Sequence, residues 1–350
     1  MTQRPGASIL RLMLPWYAQG GPVNPLVILL AALILDALIG DPPLLWRVLP
    51  HPVAIIGGIA AWLERKLNRD FRGPRDRLFR GALVAGGMTF AAMVLGVFVT
   101  ELRRRWEFGW AAELALVWML LGQQSLFLHV RRVARALAKD GVAGGRREVA
   151  RIAGHIGVNG GGRDPHGLDE YGVARVAIES CAETFADGVV APVFWYVLFG
   201  FPGILALKVV NTLGAMIGHR GERYLMFGMI AARLDDAMML VPARIAALLL
   251  VIAAVFVPRG RPRLAWLTMW KDHARHASRN AGWPEAAMAG ALDLALAGPR
   301  RLGGEVVNEG WIGGGRARAT PGDIHSALYM LAVACLLNAG IVAALIRVEM

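Results

Sequence analysis

Four charged side chains follow one another at intervals of four residues between positions 175 and 187. Arg175, Glu179, Glu183 and Asp187 therefore share one face of a predicted helix. An apolar segment, residues 188–207, follows directly, and carboxylates at such a boundary are costly unless they are paired or bound to a cation. The stripe fits either a solvated salt-bridge face or a catalytic, cation-binding face.

A glycine-rich loop precedes this stripe. Gly160, Gly161 and Gly162 allow backbone N–H groups to approach an anion, Arg163 can fork onto a phosphate or carboxylate, and Asp164 can bind a metal or orient that arginine. An ordinary glycine turn explains the same residues. The loop is thus a candidate anion site with an open alternative.

Two further polar clusters occur downstream. Asp235 and Asp236, near Arg233, could hold Mg²⁺ between carboxylates and substrate phosphates, although a helix cap is the simpler explanation. His273 and His276 lie one helical turn apart, but the sequence offers no third ligand for zinc. A phosphate-binding GxxxxGK[ST] loop and a GxSxG elbow are both missing, so ATP would need another arrangement of arginine, glycine backbone and metal.

The composition indicates that membrane helices position these residues. Of the 350 residues, 56% are hydrophobic and 18% are charged, and the mean hydropathy is +0.46. Long apolar runs predict membrane segments at residues 81–100, 114–130, 188–207 and 326–346, and a shorter one at 245–257. Residues 21–35 and 48–63, interrupted by Asp36, Asp41 and Arg47, predict two short helices joined by a polar corner. The expected fold is all-α and polytopic, with about five to seven membrane segments, some of them re-entrant.

The net charge of +12 is explained more simply by membrane topology than by nucleic acid, which is not an expected partner. Basic loops at residues 65–80 and 131–151 predict two cytoplasmic loops, with Arg103–Arg105 in a short outer turn. Residues 188–207 pose a problem, because a full crossing would carry residues 211–236 to the outside. Pro192, Gly200, Pro202 and Gly203 offer a re-entrant alternative.

The domain organisation is simple, since neither a repeat period nor a low-complexity tract is present. Residues 1–20 are expected to be a tail, and residues 21–350 a single membrane domain with polar insertions at about 131–187, 208–240 and 258–324. The two cysteines, Cys181 and Cys335, give no basis for a disulfide framework.

Several long segments resemble the adenosylcobinamide-phosphate synthase family of cobalamin biosynthesis, the CobD/CbiB membrane proteins. They are LDALIGDPPLLWRVLPHPVAIIG from Leu35, GRDPHGLDEYGVARVAIESCAETFADGVVAPVFWYVLFGFPG from Gly162, NTLGAMIGHRGERYLMFGMIAARLDD from Asn211, HASRNAGWPEAAMAGALDLALAGP from His276, and EGWIGGG. They occur in the same order and cover nearly the whole chain.

The resemblance implies a multi-pass enzyme of the bacterial cytoplasmic membrane with its active site facing the cytoplasm. It would join adenosylcobyric acid, a corrinoid, to aminopropanol or its phosphate through an amide bond, using ATP and Mg²⁺ and no tightly bound cofactor. Its partners would be these substrates, the lipid bilayer and other cobalamin-pathway enzymes.

The resemblance also supplies candidate residues. The catalytic candidates are Arg175, Glu179, Glu183 and Asp187, and the metal candidates are Asp235 and Asp236. The candidates for substrate or phosphate binding are Asp41, Arg47, His51, Arg163, Asp164, Asn211, Arg233, His276, Ser278, Arg279, Asn280 and Glu285.

Three segments depart from the family's usual motifs, each with the loss of a polar group. The family commonly reads GRDT, AEN and NTLDSM where this chain has Pro165, Thr184 and Gly214. A non-catalytic, corrinoid-binding membrane scaffold and a corrinoid permease therefore remain alternatives to the enzyme.

Overall fold

The computed structural model describes residues 23–40, 50–69, 71–156, 167–219, 221–302, 305–307 and 310–349. Most of the described chain is helical. The helices are α1 (Pro25–Ile39), α2 (Pro52–Leu67), α3 (Pro74–Arg105), α4 (Gly109–Leu120), α5 (Gln123–Ile156), α6 (Glu170–Phe185), α7 (Ala191–Ile217), α8 (Met229–Ala253), α9 (Pro262–Asp272), α10 (Gly282–Leu292) and α11 (Pro321–Glu349). A π-helical turn, Ala186–Val190, joins α6 to α7, and a 3₁₀ turn, His273–Arg275, follows α9.

Four short strands lie between α10 and α11. They are β1 (Leu296–Ala297), β2 (Arg300–Leu302), β3 (Glu305–Val307) and β4 (Trp311–Ile312). β1 pairs antiparallel with β4, and β2 pairs antiparallel with β3. These two small sheets are the part of the described fold that an all-α prediction omits.

The described chain contains five helical segments that are long and apolar enough to cross a membrane. They are Pro74–Arg105, Gly109–Arg151, Glu170–Ile217, Met229–Ala253 and Pro321–Glu349. The all-α, polytopic prediction is thereby confirmed. The segment predicted at 245–257 begins earlier than expected, at Met229, so Arg233, Asp235 and Asp236 lie inside α8.

The N-terminal helices also differ in detail from the sequence prediction. Asp36 does not interrupt the first helix but lies inside α1, where its carboxylate accepts the backbone N–H of Gln123 at 2.8 Å. Asn24 caps α1 by accepting the backbone N–H of Leu26. The predicted tail and the polar corner lie largely outside the described residues.

A buried ion pair closes the turn between α3 and α4. Arg103 Nε lies 2.7 Å from Glu113 Oε2, and both side chains are 2% exposed. Tyr196 donates its hydroxyl to Glu113 Oε1 at 2.6 Å, while Arg103 donates to the Val23 carbonyl. The predicted short turn is therefore present. Arg103 is paired inside the protein, whereas Arg104 and Arg105 pair with Glu101.

The chain reverses direction inside α7. Gly200 has φ 67° and ψ −151°, and on either side of it the chain is helical. Before the break, Gly188 lies beside Gly122 and Tyr196 reaches Glu113, so the chain approaches the Arg103 end of α3. After the break, Pro202 packs against Gly96. The break at Gly200, followed by Pro202, is the feature that the re-entrant alternative requires.

The loop after α7 returns to the opposite, basic end of α3. Arg223 pairs with Glu64 at 2.8 Å, and its carbonyl accepts hydrogen bonds from Asn68 and Arg77. Phe227 packs directly on Gly81. Residues 211–236 therefore lead to the same end of the bundle as the basic 65–80 loop.

Two apolar cores lie on either side of the polar residues. One joins α1–α4, most of α7, the start of α8 and the end of α11, and the other joins α5, α6, the rest of α8, α9, α10 and the first part of α11. The π turn lies where α6, α7 and α8 meet. This junction holds the candidate site.

Candidate active site

The acidic stripe lies along α6 and the π turn, as its spacing predicts. Asp169 begins α6 by accepting the Gly172 N–H at 2.6 Å. Arg175 donates to the Ala317 carbonyl at 2.5 Å, and Glu179 accepts the Ala297 N–H at 2.8 Å. The first two members of the stripe therefore hold the loops around β1 and β4 in place.

The last two members of the stripe face carboxylates from other helices. Glu183 is within electrostatic range of Asp187, Glu285, Glu179 and His276. Asp235 is likewise influenced by Asp187, Glu183 and Asp236. We call Glu183, Asp187, Asp235 and Glu285 the acidic cluster; it draws on α6, the π turn, α8 and α10.

The position of Asp187 in a π turn is notable because π turns inside helices occur frequently at functional sites. Here the Ala191 N–H bonds to the Ala186 carbonyl, five residues earlier. The wider turn rotates α7 relative to α6, while Asp187 stays on the same side of the helix as Glu183.

Lys208 on α7 is the cation that acts on Asp187. It was missed in the sequence prediction, although a signal was present. Lys208 is the only Asp, Glu, Lys or Arg between Gly188 and Gly218, and so the only one within α7. A single charge inside an apolar membrane helix is by default a functional candidate.

Asp235 is fixed by α7. With its amide nitrogen turned towards the available acceptors, Asn211 donates to Asp235 Oδ1 at 2.9 Å and to the Leu207 carbonyl at 3.2 Å. Gly214 lies so close that a Cβ there would stand 2.9 Å from Asp235 Cγ. The carboxylate of Asp235 therefore occupies the space that a side chain at position 214 would need.

The predicted metal pair is not symmetrical. Asp235 is half-buried, whereas Asp236 and Arg233 are exposed. Among the described residues, no three His, Cys, Asp or Glu side chains form a preassembled metal site. Mg²⁺ would fit here only with few carboxylate ligands, because water and substrate phosphates would complete its shell.

The segment before α10 forms the opposite wall of the cluster. His276 Nδ1 accepts the Ser278 N–H at 2.9 Å, which leaves Nε2 to carry the proton that faces Glu285 Oε1 at 3.5 Å. Ser278 Oγ accepts the N–H groups of Asn280 and Ala281. Ser278 thus shapes the turn that aims His276 at Glu285.

Asn280 connects this segment to α8. Its amide donates to the Asp236 carbonyl at 2.8 Å, and its oxygen accepts from Arg244 at 3.2 Å. The Arg244 guanidinium lies 4.8 Å from the centre of the Trp283 ring. Asn280 is buried and holds two helices together, while Arg279 is exposed.

The remaining predicted residues have other partners or lie outside the described residues. His51 caps α2 by accepting the Val53 N–H at 3.1 Å. His273 stacks on Trp283 with ring centres 4.0 Å apart, so it and His276 have different partners. Asp41, Arg47, Arg163, Asp164 and the departure at Pro165 lie outside the described residues.

Comparisons with known proteins agree across most of the chain. A family model described as CobD/Cbib protein matches residues 29–331. A cobalamin biosynthesis protein CobD from Sinorhizobium sp. is 44% identical over 330 residues, covering 91% of this chain and 98% of the relative. Proteins of the same name from Brucella anthropi and Rhodobacter capsulatus are 42% and 40% identical, covering 91% and 89% of this chain and 96% and 95% of their own. No solved structure matches the chain significantly.

Proposed function

The chain belongs to the CobD/Cbib protein family, and on that premise we propose that it is an amide-forming ligase of cobalamin biosynthesis in the bacterial cytoplasmic membrane. The reaction joins a propionate carboxyl of adenosylcobyric acid to the amine of aminopropanol or of its phosphate. ATP first transfers a phosphoryl or adenylyl group to the carboxylate, and ADP or pyrophosphate leaves. The amine then attacks the activated carbonyl, the C–N bond forms, and phosphate or AMP leaves.

The observation that carries this proposal is the acidic cluster with Lys208 and His276 beside it. Four carboxylates gathered between membrane helices are costly unless cations or protons compensate for them. ATP-dependent ligation requires groups that bind a cation, offset phosphate charge and accept a proton. The cluster contains residue types for all three tasks.

In this proposal His276 and Glu285 carry out the proton transfer. The attacking amine must lose a proton as the amide forms, and a carboxylate–histidine pair is suited to accept it. Their side chains are 15% and 3% exposed, so bulk water has little access to the pair. Glu183 faces the same histidine and is the second candidate base.

Charge stabilisation belongs to Asp235, Asp236 and Lys208. Asp235 with Asp236 would hold Mg²⁺ together with substrate phosphates, and the ion would offset phosphate charge when bound. Lys208 acts on Asp187 and can also neutralise a phosphate oxygen. The departure at Gly214 is compatible with this role because the Asp235 carboxylate occupies the adjacent space.

The direction of the chain supports a cytoplasmic site. Residues 211–236 lead to the end of the bundle where Arg223 pairs with Glu64, next to the basic 65–80 loop. Basic loops favour the cytoplasmic side, where ATP is available. Cytoplasmic access is therefore part of the proposal.

The test is amide formation by the protein in lipid nanodiscs, supplied with adenosylcobyric acid, ATP, Mg²⁺ and either aminopropanol or its phosphate, with products followed by mass spectrometry. We expect a corrinoid amide that requires every component. Glu183→Gln and Asp235→Asn should each lower turnover by about 100-fold, the scale typical of lost acid–base or electrostatic groups. Asp140→Asn, at an exposed position on α5, is the matched control and should retain activity.

The alternatives give different results in the same assay. Corrinoid binding without product from any amine would favour a scaffold. Corrinoid movement across a sealed bilayer without ATP consumption would favour a permease. Full turnover by both Glu183→Gln and Asp235→Asn would remove the acidic cluster from the reaction even if product forms.

A further inference from the structure

Helix α9 has two unlike faces. Ala265, Thr268, Met269 and Asp272 are buried, at the spacing of one helical stripe. The opposite face is exposed and consists of Arg263, Trp266, Leu267, Trp270 and Lys271. In water such an exposed face would be polar, yet three of its five side chains are large and apolar.

The exposure of these apolar side chains is substantial. Trp266 is 43% exposed, and Leu267 and Trp270 are each 53% exposed. Arg263 and Lys271 stand on the same face eight residues apart, roughly 12 Å along the helix axis. The pattern is an aromatic patch bracketed by cations.

This patch continues an apolar membrane helix. Near the end of α8, Ile252, Val255 and Phe256 are 48%, 63% and 57% exposed. Between Val255 and Lys271 the chain contains Arg259, Arg261, Arg263 and Lys271 and no acidic residue. Arg261 pairs with Asp293 at 2.9 Å, while Arg259, Arg263 and Lys271 remain exposed.

We propose that α9 lies in the membrane interface, with Trp266, Leu267 and Trp270 inserted at the boundary of the acyl chains and with Arg259, Arg263 and Lys271 binding anionic phospholipid headgroups. Tryptophan is enriched at this depth because its ring is apolar and its N–H is polar. An amphipathic helix with flanking cations binds anionic lipid surfaces through both apolar burial and charge. The occupant of this face is thus the bilayer, and the inference does not depend on the proposed reaction.

An aromatic contact is one of the links between the proposed anchor and the candidate site. Trp270 meets the buried Trp283 edge-on, with ring centres 5.1 Å apart. Trp283 lies on α10, two residues before Glu285. The depth of α9 in the bilayer therefore helps to set the position of α10.

The depth of α9 in the bilayer is measured with a nitroxide label attached at Leu267→Cys. The background carries Cys335→Ala, and Cys181 is left in place because it is fully buried. Leu83→Cys on α3 and Ala138→Cys on the polar part of α5 serve as lipid and water standards, both at exposed positions. In nanodiscs we expect oxygen, which concentrates in the bilayer, to reach the label at 267 more readily than the label at 138. We also expect a water-soluble nickel complex to reach the label at 267 more readily than the label at 83. Accessibility equal to that at 138, or shielding from both reagents by a second protein copy, overturns the proposal.

Headgroup binding is measured as enrichment of phosphatidylglycerol over phosphatidylcholine among lipids retained by the protein from mixed bilayers. We expect Arg259→Gln/Arg263→Gln/Lys271→Gln to lose enrichment relative to the parent. Lys139→Gln/Arg147→Gln/Arg151→Gln removes the same charge from exposed positions on α5 and should retain more of it. Equal enrichment in the parent and the α9 variant contradicts the headgroup assignment.

Discussion

The environment of Asp235 shows how one missing side chain shapes the candidate site. Asn211 holds the Asp235 carboxylate from one side, and Gly214 leaves room for it on the other. The family motif that this segment resembles has aspartate at the position of Gly214. In this chain a carboxylate from α8 stands next to the α7 backbone where that side chain would begin.

Gly214→Ala tests this arrangement. The new Cβ would lie 2.9 Å from Asp235 Cγ and 3.0 Å from Asp235 Cβ, so Asp235 must move. We expect turnover to fall by about tenfold or more, because small displacements of reacting groups carry large kinetic costs. Gly86→Ala, where a Cβ meets nothing within 4 Å, is the control for amide formation. Unchanged turnover in Gly214→Ala would show that the position of Asp235 is not critical.

Lys208 and Asp187 provide a second prediction at this scale. Lys208→Met should destabilise the protein, because it removes the cation that acts on Asp187. Asp187→Asn in the same chain should recover part of the loss, giving a coupling of about 1 kcal/mol or more in a double-mutant cycle. Thermal unfolding in detergent measures the four proteins. Additive effects of the two substitutions would mean that Lys208 and Asp187 do not stabilise each other.

The residues of the site were only partly predictable from sequence. Spacing by four was enough to place Glu183 and Asp187 on one face, since helix geometry is local. The approach of Asp235 and Glu285 to that face depends on how α8 and α10 pack, which spacing does not encode. Likewise, Asn280 has a suitable type for substrate binding but is used to tie α10 to α8.

At the scale of the helices, the break at Gly200 decides the course of the chain. Its φ of 67° and ψ of −151° fall in a region that is accessible essentially to glycine alone. Pro202 prevents the next turn from continuing the preceding helix regularly. Because of this break, residues before and after it pack side by side, with the Trp195 carbonyl facing Gly203.

Gly200→Ala should therefore be destabilising by about 1–3 kcal/mol, the usual cost of forcing a side chain into such a backbone conformation. The measurement is the midpoint of thermal unfolding in detergent. Gly87→Ala on α3 is the control, because it is helical and has open space around its Cβ position. A Gly200→Ala protein as stable as Gly87→Ala would mean that the reversal tolerates another geometry.

Sequence patterns identified most helices but misplaced some of their ends. Charge-free runs located the centres of α3, α7 and α11, where apolar side chains face lipid or protein. The start of α8 was misjudged because Asp235 is paired inside the bundle, so it can lie within a helix. The same holds for Asp36, whose partner, Gln123, is distant in sequence.

At the scale of the whole molecule, the described chain begins and ends at one face of the bundle. Asn24 donates to Glu349 at 2.8 Å, and the adjacent Val23 carbonyl accepts from Arg103. The basic 65–80 loop lies at the other end of α3, a helix of 32 residues or about 48 Å. The two ends of α3 are thus separated by more than the hydrocarbon thickness of a bilayer.

A topology prediction follows from these contacts. If basic loops are cytoplasmic, Glu349 lies on the periplasmic side. Alkaline phosphatase fused after Met350 should be active, and green fluorescent protein at the same position should be dark. The same pair of reporters within the 65–80 loop should give the opposite result. A bright fluorescent C-terminal fusion would reverse the proposed orientation of the bundle.

The π turn at Ala186–Val190 has a consequence for how this chain can change in evolution. Such a turn holds one residue more than a regular α-helix needs over the same length. Deleting one residue there would rotate α6 relative to α7 by about 100°, so the stripe on α6 and the polar residues of α7 would lose their present alignment. Selection on this segment therefore acts on its length as well as on its side chains, and a single codon deletion is expected to be more damaging than most substitutions.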